Sequence, residues 1–306
     1  MEQEKFDNVK RGIIYTFIGA ILWGFSGTCG EYLFSREQLS PSLVTVVRML
    51  FSGIVLLGLS LIKQPKEAKA VLKEKRDVLH LILYSIFGLA FSQFSYLTTI
   101  SYSNAGTATV LQYLGPVLIM IYACICGRRL PTIKEIIAIL LAVLGTFLLA
   151  THGNPSSMVL SKEGLTWGLL SAVALLIYTV APGRLVEKWG STMVLGYAML
   201  FGGIIMAIGT RVWTIQVDWN LRIILGLIAI SFFGTAIAYT LYLQGVQLVG
   251  SVKASLIASI EPVAATVFSA IWLHTVFGGI DLVGFLCIMI TVFLLAKKEK
   301  NKENIV

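Results

Sequence analysis

Apolar stretches long enough to cross a bilayer recur along the whole chain, and this limits what it can fold into more than any other feature. Hydrocarbon about 30 Å thick takes roughly 20 residues of α-helix. Stretches of that kind occupy residues 12–33, 43–62, 79–99, 104–126, 133–151, 164–183, 192–211, 222–243, 251–273 and 280–296. Short connections make neighbouring helices antiparallel. The longest polar connection, residues 63–78, is too charged to span and reads as a surface loop or short helix. The expected fold class is therefore an all-α membrane protein with ten transmembrane helices.

Composition agrees. Of the 306 residues, 57% are hydrophobic and 13% charged, against about 25% charged in a soluble domain. The mean hydropathy is +0.83. A water-soluble fold of this size has too little polar surface to cover that apolar area, whereas lipid is itself an apolar solvent.

The net charge of +8 is sorted by side. With the N-terminus inside, nineteen Lys and Arg residues fall on cytoplasmic segments, four on the opposite side, and Arg48 within a span. By the positive-inside rule both termini are cytoplasmic, which requires an even number of spans. No basic face interleaved with aromatic residues is present, so no nucleic-acid partner is expected. The first apolar stretch lacks a cleavage site and reads as a retained span. Cys29, Cys124, Cys126 and Cys287 all lie in apolar stretches and imply no disulfide framework and no metal site.

The chain also repeats itself. MLFSG at 49–53 returns as MLFGG at 199–203, Pro116 as Pro262, Tyr96 as Tyr242, and FLLA at 147–150 at 293–296. Five spans per copy put the second copy into the membrane from the opposite face, which gives two inverted five-helix repeats, a pattern of secondary transporters. The expected organisation is an N-terminal tail (1–11), a first repeat (12–151), an extracytoplasmic linker (152–163), a second repeat (164–296) and a basic cytoplasmic tail (297–306).

On these features the chain resembles the drug/metabolite transporter superfamily, EamA-type branch. The likeness is carried by AILWGFSGTCGEYLF at 20–34, SPSLVTVVRMLFSG at 40–53, NAGTATVLQYLGPV at 104–117, VGSVKASLIASIEPV at 249–263 and GFLCIMITVFLLA at 284–296. It implies a ten-helix carrier of amino acids, other metabolites or organic cations. Family members often have Glu before the proline of both repeats; here Glu261-Pro262 keeps it and Gly115-Pro116 does not.

Ionisable groups inside hydrocarbon are costly, and three lie clearly within the spans rather than at their ends: Glu31, Arg48 and Glu261. Glu261 lies about 12 Å deep, counted from Lys253 at 1.5 Å per residue. It reads either as a coupling or cation-recognising carboxylate or as a helix cap at the proline. Pro262 removes a backbone hydrogen bond and frees carbonyls around Ala258. Glu31 and Arg48 have similar depth on adjacent spans and are expected to form a structural ion pair, with a substrate carboxylate as the alternative partner for Arg48. The substrate-binding candidates are Trp23, Ser26, Gln93, Tyr96, Gln112, Tyr113, Tyr178, Tyr239, Tyr242 and Glu261, an aromatic wall with a few amides and hydroxyls suited to an amphipathic solute. Gly24, Gly27 and Gly30 let the first span approach a neighbour closely.

Together with the inverted repeats, the resemblance implies a secondary active carrier of small metabolites in the plasma membrane, amino acids first, working by alternating access around a central cavity, and the resemblance alone implies export. Organic-cation efflux and metabolite uptake are the alternatives. No P-loop is present, so ATP-driven transport by this chain alone is excluded. An intramembrane enzyme lacks its facing aspartates or an H-E-x-x-H motif, and a non-transporting receptor lacks a soluble domain. No catalytic residue and no cofactor is expected. The partners are a small-molecule solute and lipid, with protons a coupling ion compatible with Glu261 and a homodimer left open.

Overall fold

The computed structural model describes residues 2–154, 159–250, 254 and 257–296, which are helical with no strand. The helices are α1 (Glu2–Ser35), α2 (Pro41–Lys63), the short α3 (Pro65–Val71), α4 (Lys75–Tyr102), α5 (Ala105–Cys126), α6 (Ile133–Thr151), α7 (Lys162–Val180), the short α8 (Gly183–Trp189), α9 (Ser191–Thr210), α10 (Leu221–Val249), α11 (Glu261–Trp272) and α12 (Gly279–Ala296). Among the described residues, eight helices are long and apolar enough to cross a membrane: α1, α2, α4, α5, α6, α7, α9 and α10. The shorter apolar helix Gly279–Leu295 follows them. The stretch expected to form a ninth span lies partly outside the described residues, as do Lys253 and the basic tail.

The ends follow local chemistry. Ser40, Asn104 and Asn220 cap α2, α5 and α10, each accepting from a backbone N–H three residues on. The polar connection after α2 forms α3, lying between α2 and α4. Two boundaries depart furthest from the sequence reading. Helix α1 begins at Glu2 rather than near residue 12, and α10 runs to Val249 rather than 243. Apolarity marks where lipid begins, whereas a helix continues into water until something stops it. For α10 that stop is Gly250, at φ 84°.

Four interruptions break the regular ladder. Tyr84–Ala90 in α4 and Ala229–Ile237 in α10 are π-helical. Helix α5 breaks at Tyr113–Leu114, before Gly115-Pro116, and Ser259–Ile260 form a turn before Glu261-Pro262. Proline accounts for the last two, since it has no N–H to give.

Glycines set the close crossings. A Cβ at Gly24 of α1 would lie 2.7 Å from Ala265 N and 2.9 Å from the Glu261 carbonyl of α11. One at Gly53 of α2 would lie 2.6 Å from Leu200 N of α9, and one at Gly145 of α6 would lie 2.8 Å from the Gly284 carbonyl of α12. Apolar side chains such as Ile54, Ile62, Leu140, Val143, Ile208 and Leu286 point outward, which only an apolar surrounding tolerates.

One end of the bundle is closed by a core of Cys29, Leu33, Leu97, Ile100, Ala105 and their neighbours. Within it, Glu31 accepts from Ala105 N at 2.9 Å, Ser269 Oγ at 2.6 Å and Thr275 Oγ1 at 2.7 Å. The buried carboxylate thus bolts α1 to the N-terminus of α5, to α11 and to the turn after it. The α5 dipole favours negative charge at that point.

Candidate functional site

A cavity of about 1160 Å³ enters the bundle at the opposite end. Arg129, Lys134, Glu135, Pro182 and Ser191 line its mouth, and none of the connections at the closed end reaches it. Arg129 grips Glu135 through two 2.9 Å bonds, and Glu135 also accepts from Thr132 N at 2.6 Å. That pairing holds the Arg129 guanidinium above its ordinary value and fixes the start of α6 at the rim.

The inner wall is aromatic. Trp23 of α1 meets Tyr239 edge-on at 5.1 Å and Tyr242 at 4.9 Å, both from α10. Tyr84 of α4 stacks on Tyr178 of α7 at 6.2 Å. Tyr96 and Gln93 of α4 are mostly buried beside the cavity, with the Tyr96 hydroxyl 2.8 Å from Thr109 Oγ1 of α5. Gln112 and Tyr113 reach the wall at the break in α5.

Glu261 lines the same cavity from the first turn of α11, where the helix dipole favours a carboxylate. The Tyr113 hydroxyl sits 3.2 Å from Glu261 Oε2 and 3.0 Å from the Ala258 carbonyl. Ala258 O is an acceptor of the kind Pro262 was expected to free, and a tyrosine from another helix takes it up.

Nine of the ten substrate-binding candidates therefore line one cavity: Trp23, Gln93, Tyr96, Gln112, Tyr113, Tyr178, Tyr239, Tyr242 and Glu261. Ser26 does not. It packs against Gly234 of α10, with its hydroxyl buried and without a hydrogen-bond partner. Three residues along a helix turn a side chain about 60° from its starting direction, which carries Ser26 off the Trp23 face and onto the α10 contact.

The expected ion pair between Glu31 and Arg48 does not form. Glu31 belongs to the closed end, while Arg48 turns toward α10 and the cavity, donating from Nε to Thr235 Oγ1 at 2.8 Å. Equal depth on adjacent helices does not fix the direction in which each side chain points. Tyr84 was missed because its π-helical turn has no marker in residue spacing.

Comparison with known proteins places this arrangement. A Salmonella typhimurium (strain LT2) relative, named an uncharacterized inner membrane transporter (YicL), is 35% identical over 295 residues, covering 96% of this chain and 98% of its own. A relative from Chlamydia trachomatis serovar L2, named an S-adenosylmethionine/S-adenosylhomocysteine transporter, is 23% identical over 90% of this chain and 86% of its own. A solved crystal structure at 18% identity shares the fold with a TM-score of 0.64, covering 96% of this chain and 98% of that one. The EamA-like transporter family matches over residues 10–151 and again over 162–297. The chain belongs to the EamA-like transporter family.

Proposed function

We propose that this protein is a secondary carrier of the plasma membrane that exports amino acids or related metabolites by alternating access. In this reading ten helices form two inverted five-helix repeats, 12–151 and 164–296, joined by the linker 152–163, with both termini cytoplasmic. The two separate family matches support the division. So do the paired irregularities: π turns at Tyr84–Ala90 and Ala229–Ile237, and breaks at 113–114 and 259–260, recur at nearly the shift seen between Tyr96 and Tyr242. The mouth of the cavity carries Arg129 and Lys134, on the side the charge count makes cytoplasmic, so this conformation is inward-facing.

One observation carries the carrier reading. A single cavity takes its wall from both proposed repeats and holds Glu261 at a half-helix N-terminus beside aromatic rings. Half-helix ends at mid-depth are where secondary transporters bind solutes and coupling ions. Glu261 suits an ammonium group of the solute or a proton, and Trp23, Tyr239 and Tyr242 suit its apolar body.

The test is flux from proteoliposomes loaded with a pooled amino-acid and amine panel, comparing wild type with Glu261→Gln. Selective efflux by wild type, lost in a well-inserted variant, supports the reading. Absence of any flux from wild type overturns it. Transport of amines alone would favour organic-cation efflux. The S-adenosylmethionine-transporting relative makes a bulky adenosyl amino acid a second solute to include, and the cavity exceeds the roughly 300–1,000 Å³ of ordinary ligand pockets.

A further inference from the structure

Arg48 is mostly buried, at 6% exposure, on the cavity wall. Among the described residues no carboxylate lies within ion-pair distance of it. Its Nε donates to Thr235 Oγ1 at 2.8 Å, and Nη2 is 3.5 Å from the Gly234 carbonyl, too long to satisfy a buried cation. Both partners belong to the π-helical turn of α10. The guanidinium is thus docked by its Nε edge, which leaves the Nη1/Nη2 end for a planar acceptor pair.

Anchoring the π turn does not by itself call for an arginine. MLFSG after Arg48 returns as MLFGG after Ala198, and Ala198 is fully buried. In the first arrangement Ser52 donates to the Ser231 carbonyl of the α10 π turn at 3.2 Å. In the second, Gly202 lies so close to the Ser85 carbonyl of the α4 π turn that a Cβ would come within 2.8 Å. The same kind of helix-to-π-turn contact is made there with alanine in place of arginine. An arginine side chain donates and cannot accept, so the free Nη1/Nη2 end can be satisfied only by an acceptor.

We infer that Arg48 is the anion-recognising residue of the cavity, taking a carboxylate or phosphate group of the solute end-on. The inference rests on the carrier reading and narrows its cargo to solutes bearing an anionic group. With Glu261 on the same cavity, a solute carrying both charges meets an opposite charge for each.

The test is binding to the purified full chain in lipid nanodiscs, using a one-ring series: phenethylamine, 3-phenylpropionate, L-phenylalanine and phenyl phosphate. Wild type should bind at least one anion-bearing probe, and Arg48→Gln should weaken that binding roughly tenfold or more without weakening that of phenethylamine. Arg48→Lys should recover part of the loss, and Thr235→Val, which keeps the charge, should lose less than Arg48→Gln. A preference for phenyl phosphate over the carboxylates would assign the site to phosphate esters. The inference is overturned if wild type binds none of the anion-bearing probes, if Arg48→Gln binds them as wild type does, or if it loses phenethylamine equally. Flux separates the two readings: Arg48-dependent binding without transport sinks the carrier alone, and transport of amines with no anion requirement sinks this inference alone.

Discussion

The Tyr113 hydroxyl reaches from the break in α5 to the backbone carbonyl of Ala258, 3.0 Å away, just before the turn that leads into α11. Two helix interruptions far apart in sequence are thereby tied together at the cavity wall. Both result from proline, and each leaves backbone groups that need partners where water is scarce. Glu261 lies 3.2 Å from the same hydroxyl, so this tie also sets the position of the cavity carboxylate.

Tyr113→Phe should therefore remove a hydrogen bond and leave the packing nearly unchanged. The expected loss of stability is about 1 kcal/mol, read from unfolding midpoints in matched detergent. Flux should fall further than this loss explains, because Glu261 loses the group that orients it. Full flux would show that the tie is only structural.

Helix crossings should respond to glycine substitution according to what each glycine touches. Gly24→Ala would push a methyl group against backbone atoms of α11 and should cost about 1–3 kcal/mol. Gly58→Ala meets nothing within 4 Å and should be neutral or stabilise by up to about 1 kcal/mol. Equal midpoints for the two variants would contradict the close approach of α1 to α11.

Glu31 should hold the closed end shut. Replacing it with Ala leaves Ala105 N, Ser269 Oγ and Thr275 Oγ1 without their shared acceptor. A cost on the order of 2 kcal/mol or more follows from losing hydrogen bonds to a charged group. Cys29, at 1% exposure two residues earlier, is a built-in reporter. In a Cys126→Ser background, Glu31→Ala should speed maleimide labelling of Cys29 at least severalfold, read by mass spectrometry. Unchanged labelling would show that this end stays closed without the carboxylate.

Glu37, in the turn between α1 and α2, accepts from Asn220 Nδ2 at 2.9 Å and from the Tyr32 hydroxyl at 2.9 Å. Those bonds, Asn220 first, hold its carboxyl below the usual carboxylate value. A lowered value in the folded state means its stabilisation is present above the ordinary range near pH ~4.3 and is lost as pH falls through that range and below. The stability gap between wild type and Glu37→Gln should accordingly shrink on going from pH 7 to pH 4 and below. A gap independent of pH would show that the ionised carboxylate contributes nothing at this turn.

Particular residues show how much was legible beforehand. Helix stretches follow apolar runs because hydrocarbon leaves a backbone no hydrogen-bond partner but itself, and eight of the expected spans appear as membrane-length helices. Glu261 and the tyrosines stood out because polar groups within long apolar stretches need an unusual reason to be there. Depth follows from counting residues at a fixed rise, so Arg48 and Glu31 could be placed at similar heights. The direction of a side chain around the helix axis does not follow from counting. It depends on how each helix rotates against its neighbours and on where a π turn shifts the register. That is why Ser26 packs on Gly234 instead of facing the cavity, and why Arg48 turns to Thr235 while Glu31 turns to Ser269. The sequence by itself determined which apolar segments form helices and where each polar group falls along its helix. Only the tertiary structure decided which groups share a wall, because helix rotation is settled by close packing between segments distant in the chain.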